Sequence, residues 1–155
     1  MTIQVGDKIP SVKLKAATDK GHEEVDTGEL FAGKKAILFA LPGAYTPTCS
    51  KQHLPGFVAG RADLKAKGVD LVVCLSVNDV FVMEAWGKEH DALGKVVMLA
   101  DGSAALTKAL GLELDLTAAG LGVRSKRWAA VLEDGVFKSL DGDEKGFEVT
   151  ACEGV

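Results

Sequence analysis

The chemistry available to this sequence centres on cysteine. Cys49 stands in Leu41-Pro-Gly-Ala-Tyr-Thr-Pro-Thr-Cys-Ser50, just after a short apolar run and where a helix should begin. Unpaired N–H groups and the positive dipole end at a helix N-terminus favour an anion, so a thiol there can have its pKa lowered from ~8.5 to roughly 3.5–7.5. The thiolate is the nucleophilic form, and a polar loop bounded by Pro42 and Pro47 is a poor place to hide a small hydrophobe. Thr46 precedes Cys49 by three residues, near enough for its hydroxyl to meet the sulfur or whatever the sulfur attacks. It reads equally well as a turn or cap residue. His53 follows Cys49 by one helical turn, so a Cys–His dyad is conceivable beside the plainer reading of a part-exposed helix residue.

The other two thiols differ in setting. Cys74 lies inside the apolar run Leu71-Val-Val-Cys-Leu75 and reads as a core residue, whereas Cys152 lies near the end of the sequence, where a mobile thiol could reach another. Three cysteines cannot pair off completely, which excludes a secreted disulfide framework. No Cys-x-x-Cys occurs, which argues against an ordinary thioredoxin-type oxidoreductase, and the cysteine separations do not suit zinc. A phosphate-cradling Gly-x-x-x-x-Gly-Lys-Ser/Thr loop is also missing from the sequence.

These residues need elements to hold them. The 155 residues are 47% apolar and 26% charged, ordinary globular composition, and no repeat or linker divides them, so one domain over residues 1–155 is expected. A net charge of −4 without a basic stripe disfavours nucleic-acid binding. The longest apolar runs fall short of the ~20 residues that span a bilayer, so no membrane partner is expected. The start Met1-Thr-Ile-Gln-Val-Gly-Asp-Lys8 lacks the pattern of a secretory signal. Residues 36–41, 69–77 and 96–100 read as buried strands, with helices expected over 50–67, kinked at Pro55, over 79–90, and after a Ser103 cap. Alternating strands and helices imply a parallel sheet with right-handed crossovers. Residues 127–132 and 136–140, joined by a three-residue loop Glu133-Asp134-Gly135, add an antiparallel hairpin. The fold class is therefore α/β, a thioredoxin-like plan with a mixed central sheet flanked by helices.

Pro42-Gly-Ala-Tyr-Thr-Pro-Thr-Cys-Ser50, continuing Lys51-Gln-His-Leu-Pro-Gly-Phe57, resembles the active-site signature of peroxiredoxins, specifically the type II group that includes the peroxiredoxin-five subfamily. The resemblance continues through Val77-Asn-Asp-Val-Phe-Val82, Ala85-Trp86, Leu99-Ala-Asp-Gly102 and Leu121-Gly-Val-Arg-Ser-Lys-Arg-Trp128. It implies hydroperoxide reduction by a peroxidatic cysteine matching Cys49, with Pro42, Thr46 and a distant arginine matching Arg127. Arg124 is the competing arginine and reads as a surface charge. A thiolate attacking one peroxide oxygen drives negative charge onto the other, so fixed donors there favour the transition state. On this reading Arg127 supplies a permanent charge and donor fork, Thr46 a hydroxyl donor, and Pro42 a wall against water. The sulfenic acid product condenses with a second thiol, and no metal, haem or flavin is needed. Cys74 is the resolving candidate, Cys152 the second choice, and direct resolution by glutathione or glutaredoxin the third.

The resemblance further implies a thiol reductant (glutaredoxin, glutathione or thioredoxin) and a homodimer. A cytoplasmic setting is expected, with an organellar mature form left open. Two rival readings remain at this point. One is a redox-sensing or chaperone-like binding module in which Cys49 oxidation switches an interface. The other is a Cys–His hydrolase resting on His53.

Overall fold

The computed structural model describes residues 2–46 and 54–143. Apolar, β-branched segments form the sheet centre: β3 (Lys35–Ala40), β4 (Leu71–Ser76) and β5 (Val97–Ala100) lie parallel, within one residue or two of the expected runs. The hairpin β8 (Arg127–Glu133) and β9 (Val136–Asp143) continues the sheet antiparallel to β3. Its turn is tighter than expected. Glu133 pairs with Val136, leaving only Asp134 and Gly135 between the strands, at φ of 51° and 76°. Two successive left-handed residues are what a type I′ hairpin turn requires, and an Asp-Gly pair suits it.

A second hairpin closes the opposite side. β1 (Lys13–Thr18) and β2 (Gly21–Asp26) are antiparallel, and β1 pairs with β5, giving the order β2-β1-β5-β4-β3-β8-β9. The sequence reading missed these two strands. In β1 only Ala16 and Ala17 are buried, and β2 buries none of its residues, so neither carries the apolar run that marks an interior strand.

Helices cover both faces. On one face α2, described over Leu54–Ala66, and α3 (Val80–Glu89) bury Leu54, Phe57, Leu64, Met83 and Trp86 against Ile37, Phe39, Val72, Cys74 and Met98. Phe39 and Phe57 stack with ring centroids 4.0 Å apart. On the other face α1 (Thr27–Leu30) and α4 (Ala105–Leu110) accompany a core of Phe31, Leu38, Val73, Leu75, Leu99, Leu106, Leu110 and Trp128. Alternate residues of each central strand thus enter different cores, because successive strand side chains point to opposite faces. The result is the mixed sheet flanked by helices expected from the sequence.

The cap of α4 differs from expectation. Ser103 makes no cap; the carboxylate of buried Asp101 accepts from the backbone N–H groups of Leu106 and Thr107, at 3.1 and 2.7 Å, and from the Thr107 hydroxyl at 2.7 Å. Ala104, at φ 59°, turns the chain left-handed there, so the carboxylate that meets the first-turn donors is five residues upstream of Leu106 rather than adjacent to the helix. A short hairpin, β6 (Glu113–Leu116) and β7 (Gly122–Ser125), forms a separate two-stranded sheet between α4 and β8.

Candidate active site

The loop after β3 is held at the carboxyl ends of two neighbouring parallel strands, the usual place for a site in an open α/β sheet. Leu41 prolongs the β3–β4 ladder through its N–H to the Leu75 carbonyl. Beyond it, several polar groups of the loop have defined partners. The Ala44 N–H donates to Asn78 Oδ1 at 2.9 Å, and the Ser76 hydroxyl donates to the same oxygen at 2.6 Å. Asn78 therefore ties the loop after β3 to the loop after β4. Sequence reasoning gave it no role, although a polar residue ending a buried parallel strand was a usable signal.

Thr46 is fixed by its own turn. Its hydroxyl donates to the Gly43 carbonyl at 2.7 Å, and its backbone N–H points to the same oxygen at 3.4 Å. A carbonyl can only accept, so the Thr46 hydroxyl is the donor in this bond, and a hydroxyl that donates keeps the capacity to accept at its oxygen. Tyr45 sits at φ 64°, in the left-handed region, and carries its ring outward, half exposed, with the centroid 6.4 Å from that of Trp86. Its phenol bonds Glu89, and desolvation together with that carboxylate raises its pKa above the ordinary value, so it stays a neutral donor.

Strand register brings the backbone of Arg127 level with the start of this loop. Ala40 pairs with Trp128, so Arg127 is the next residue of β8 beside the start of the loop. Alternation places it on the face of Ala129, the face α2 covers. It is half-buried, at the same sheet end as Pro42 and Thr46.

Arg124 is no surface charge. It is half-buried, donates from Nε to the Leu121 carbonyl at 2.9 Å, and reaches with Nη1 to the Pro42 carbonyl at 3.4 Å. A bidentate, planar side chain on β7 can span two carbonyls in this way.

Cys74 is fully buried on β4, opposite Phe39 and on the face beneath α2 and α3. Cys49, His53 and Cys152 lie outside the described residues. Among the described residues no group of three or more His, Cys, Asp or Glu is placed to hold a metal ion, and no helix is long and apolar enough to cross a membrane.

Comparisons with known proteins place the chain in a family. The Redoxin family matches residues 4–150. The chain is 51% identical over 156 aligned residues to peroxiredoxin-2E-2, chloroplastic, of Oryza sativa, covering 97% of this chain and 69% of that one. Among solved structures, reduced Prx3 of Vibrio vulnificus in complex with hydrogen peroxide superposes with a TM-score of 0.93 at 48% identity, covering 99% of this chain and 96% of that one. The oxidised form of that Prx3 gives 0.82 at 50% identity, over 92% and 89%. The chain therefore belongs to the redoxin family and, within it, to the peroxiredoxins, the thiol-dependent peroxidases.

Proposed function

We propose that this peroxiredoxin is of type II, in the peroxiredoxin-five subfamily, a single domain over residues 1–155 that reduces hydrogen peroxide and alkyl hydroperoxides through Cys49. One observation carries the reading: the β3–β8 register brings Arg127 to the loop of Pro42 and Thr46, the loop that runs on in sequence to Cys49. A sensing module or a Cys–His hydrolase has no use for that convergence.

The Cys49 thiolate attacks the nearer oxygen of ROOH, the O–O bond breaks, and the other oxygen leaves as RO⁻ and takes up a proton. Arg127 stabilises that departing charge. Thr46, its proton held by Gly43, accepts from the hydroperoxide O–H and so orients the substrate. Pro42 walls the pocket. The Cys49 sulfenic acid then loses water on condensing with a second thiol, and two external thiol groups, from thioredoxin or from glutathione and glutaredoxin, reopen the disulfide by exchange and end as a disulfide themselves, having returned two electrons and two protons.

The role of Thr46 has a direct check. Thr46→Val, which keeps the shape but removes the acceptor, is expected to slow the second-order reaction with hydrogen peroxide by about 10- to 100-fold. Thr46→Ser should stay within about threefold of the parent. Equal loss in both variants, measured by stopped-flow, would remove the hydroxyl from the mechanism.

Cys74 is the proposed resolving thiol, ahead of Cys152. A disulfide needs sulfurs about 2.05 Å apart, and Cys74 is wholly covered beneath α2 and α3, so the proposal includes a lifting of α2 as the pair closes. Leu54, Phe57 and Leu64 anchor α2, and burial of each such side chain contributes about 1.5–3 kcal/mol, partly offset by the entropy regained on opening. Resolution is therefore coupled to a local opening of the kind proteins make well below global unfolding. Peptide mapping after one equivalent of peroxide should recover a Cys49–Cys74 disulfide. A Cys49–Cys152 link, or a lone sulfenate or glutathione adduct, would each displace Cys74.

Homodimeric assembly belongs to the same proposal, on the family resemblance. The chloroplastic name of the rice relative supports an organellar setting beside the cytoplasmic one.

A further inference from the structure

We propose that Arg124 is a positioning residue for the peroxide reaction, acting through the Pro42–Gly43 backbone. The inference rests on the reading of the Pro42–Thr46 loop as the peroxidatic loop. Proline has no N–H, so Pro42 offers the fold only its carbonyl, and the guanidinium of Arg124 is what meets that group. The neighbouring carbonyl, of Gly43, receives the Thr46 hydroxyl, and the next N–H, of Ala44, goes to Asn78. Arg124, Asn78 and Thr46 thus fix three consecutive residues of the loop. Asn78 stands just after β4, whereas Arg124 comes from the small β6–β7 sheet, where its Nε bond to the Leu121 carbonyl anchors it.

Gly43 is the other half of the device. A Cβ built on it would lie 2.7 Å from Arg124 Nη1, too close for any real contact, while its next nearest neighbour, Thr46 Cγ2, would be at an ordinary 3.4 Å. Its φ is not among the positive values, so alanine can adopt the local backbone. What position 43 requires is room for the guanidinium rather than glycine's conformational freedom. An arginine end group would normally swing aside at little cost. Here swinging aside breaks the bond to Pro42, and the turn that aims the Thr46 oxygen loses its outer support.

The test compares two reactions of the same sulfur. Reduction of hydrogen peroxide needs the loop to orient an O–O bond, whereas alkylation of Cys49 by iodoacetamide, followed on its own peptide by mass spectrometry, needs only an accessible thiolate. R124A is expected to lower the peroxide rate constant by about 10- to 50-fold while changing the alkylation rate less than threefold. R124K should recover little, since an ammonium on a flexible stem has no fork to bridge two carbonyls. G43A should lose about as much as R124A, and the double variant R124A/G43A no more than either alone, because both break one contact. The proposal is overturned by a parent-like peroxide rate in R124A, by full rescue in R124K, by effects of R124A and G43A that multiply, or by alkylation falling in step with peroxide reduction. If R124A does not fold, R124K and G43A decide on the same criteria. A parent protein whose peroxide consumption does not depend on Cys49 would instead sink the reading of the loop itself.

Discussion

Cys49→Ser is expected to reduce peroxide consumption at least a thousandfold, to the level of a bystander thiol. Serine nearly matches the shape and hydrogen bonding of cysteine but is not ionised near neutral pH and is a poor nucleophile toward a peroxide oxygen. Removing the nucleophile from a site that acts as a unit forfeits almost the whole rate enhancement, since the other groups stabilise a transition state that no longer forms. The remaining cysteines do not substitute for it. Cys74 is enclosed between the sheet and the α2–α3 layer, and Cys152 follows none of the Pro-x-x-x-Thr-x-x-Cys signature. The measurement is peroxide loss with a thiol reductant in excess, paired with intact-mass detection of the sulfenate. Turnover in Cys49→Ser equal to that of the parent would end the assignment.

Arg127→Ala should carry the next largest effect, a loss of about 10²–10³ in the same rate constant. Loss of a single preorganised donor at a developing oxyanion has that size, and Arg127 contributes a permanent charge as well as a fork of donors. The position is half-buried at the first residue of β8, away from the interior of either core, so the melting temperature should move by only a few degrees. Arg127→Lys keeps the charge without the planar fork and should fall between parent and alanine. Rates for Arg127→Ala equal to those of the parent would exclude it from the reaction. The two arginines then separate by kind. Loss of Arg127 is not relieved by changes at Gly43, whereas loss of Arg124 makes Gly43→Ala silent.

Much of this site was legible without coordinates, and for identifiable reasons. The loop from Pro42 to Cys49 announces itself because its chemistry is local: proline, glycine and threonine within eight residues of a cysteine after a buried run. The central strands were legible because residues buried on both faces leave continuous apolar runs. The β1–β2 hairpin was not, because outer strands that bury little carry no such run. Arg124 was misjudged for a similar reason. Beside the nearby Leu121 carbonyl, its partners are a carbonyl 82 residues away and the missing side chain of Gly43, and neither of those two leaves a mark near residue 124. Asn78 and Asp101 likewise act on backbone groups that only folding brings within reach.

The sequence alone determined the kind of chemistry, a nucleophilic thiol with a hydroxyl and a cation to serve it, and the sheet-and-helix plan that carries them. Those depend on residue type and on periodicities of a few residues, which a linear chain displays. Tertiary structure decided which way the Thr46 proton points, which sheet end Arg127 joins, how deeply Cys74 is enclosed, and that Arg124 braces the loop. Each of these is a contact between segments distant in the chain, set by strand register and by which face of the sheet a side chain enters. Residue type does not encode either one.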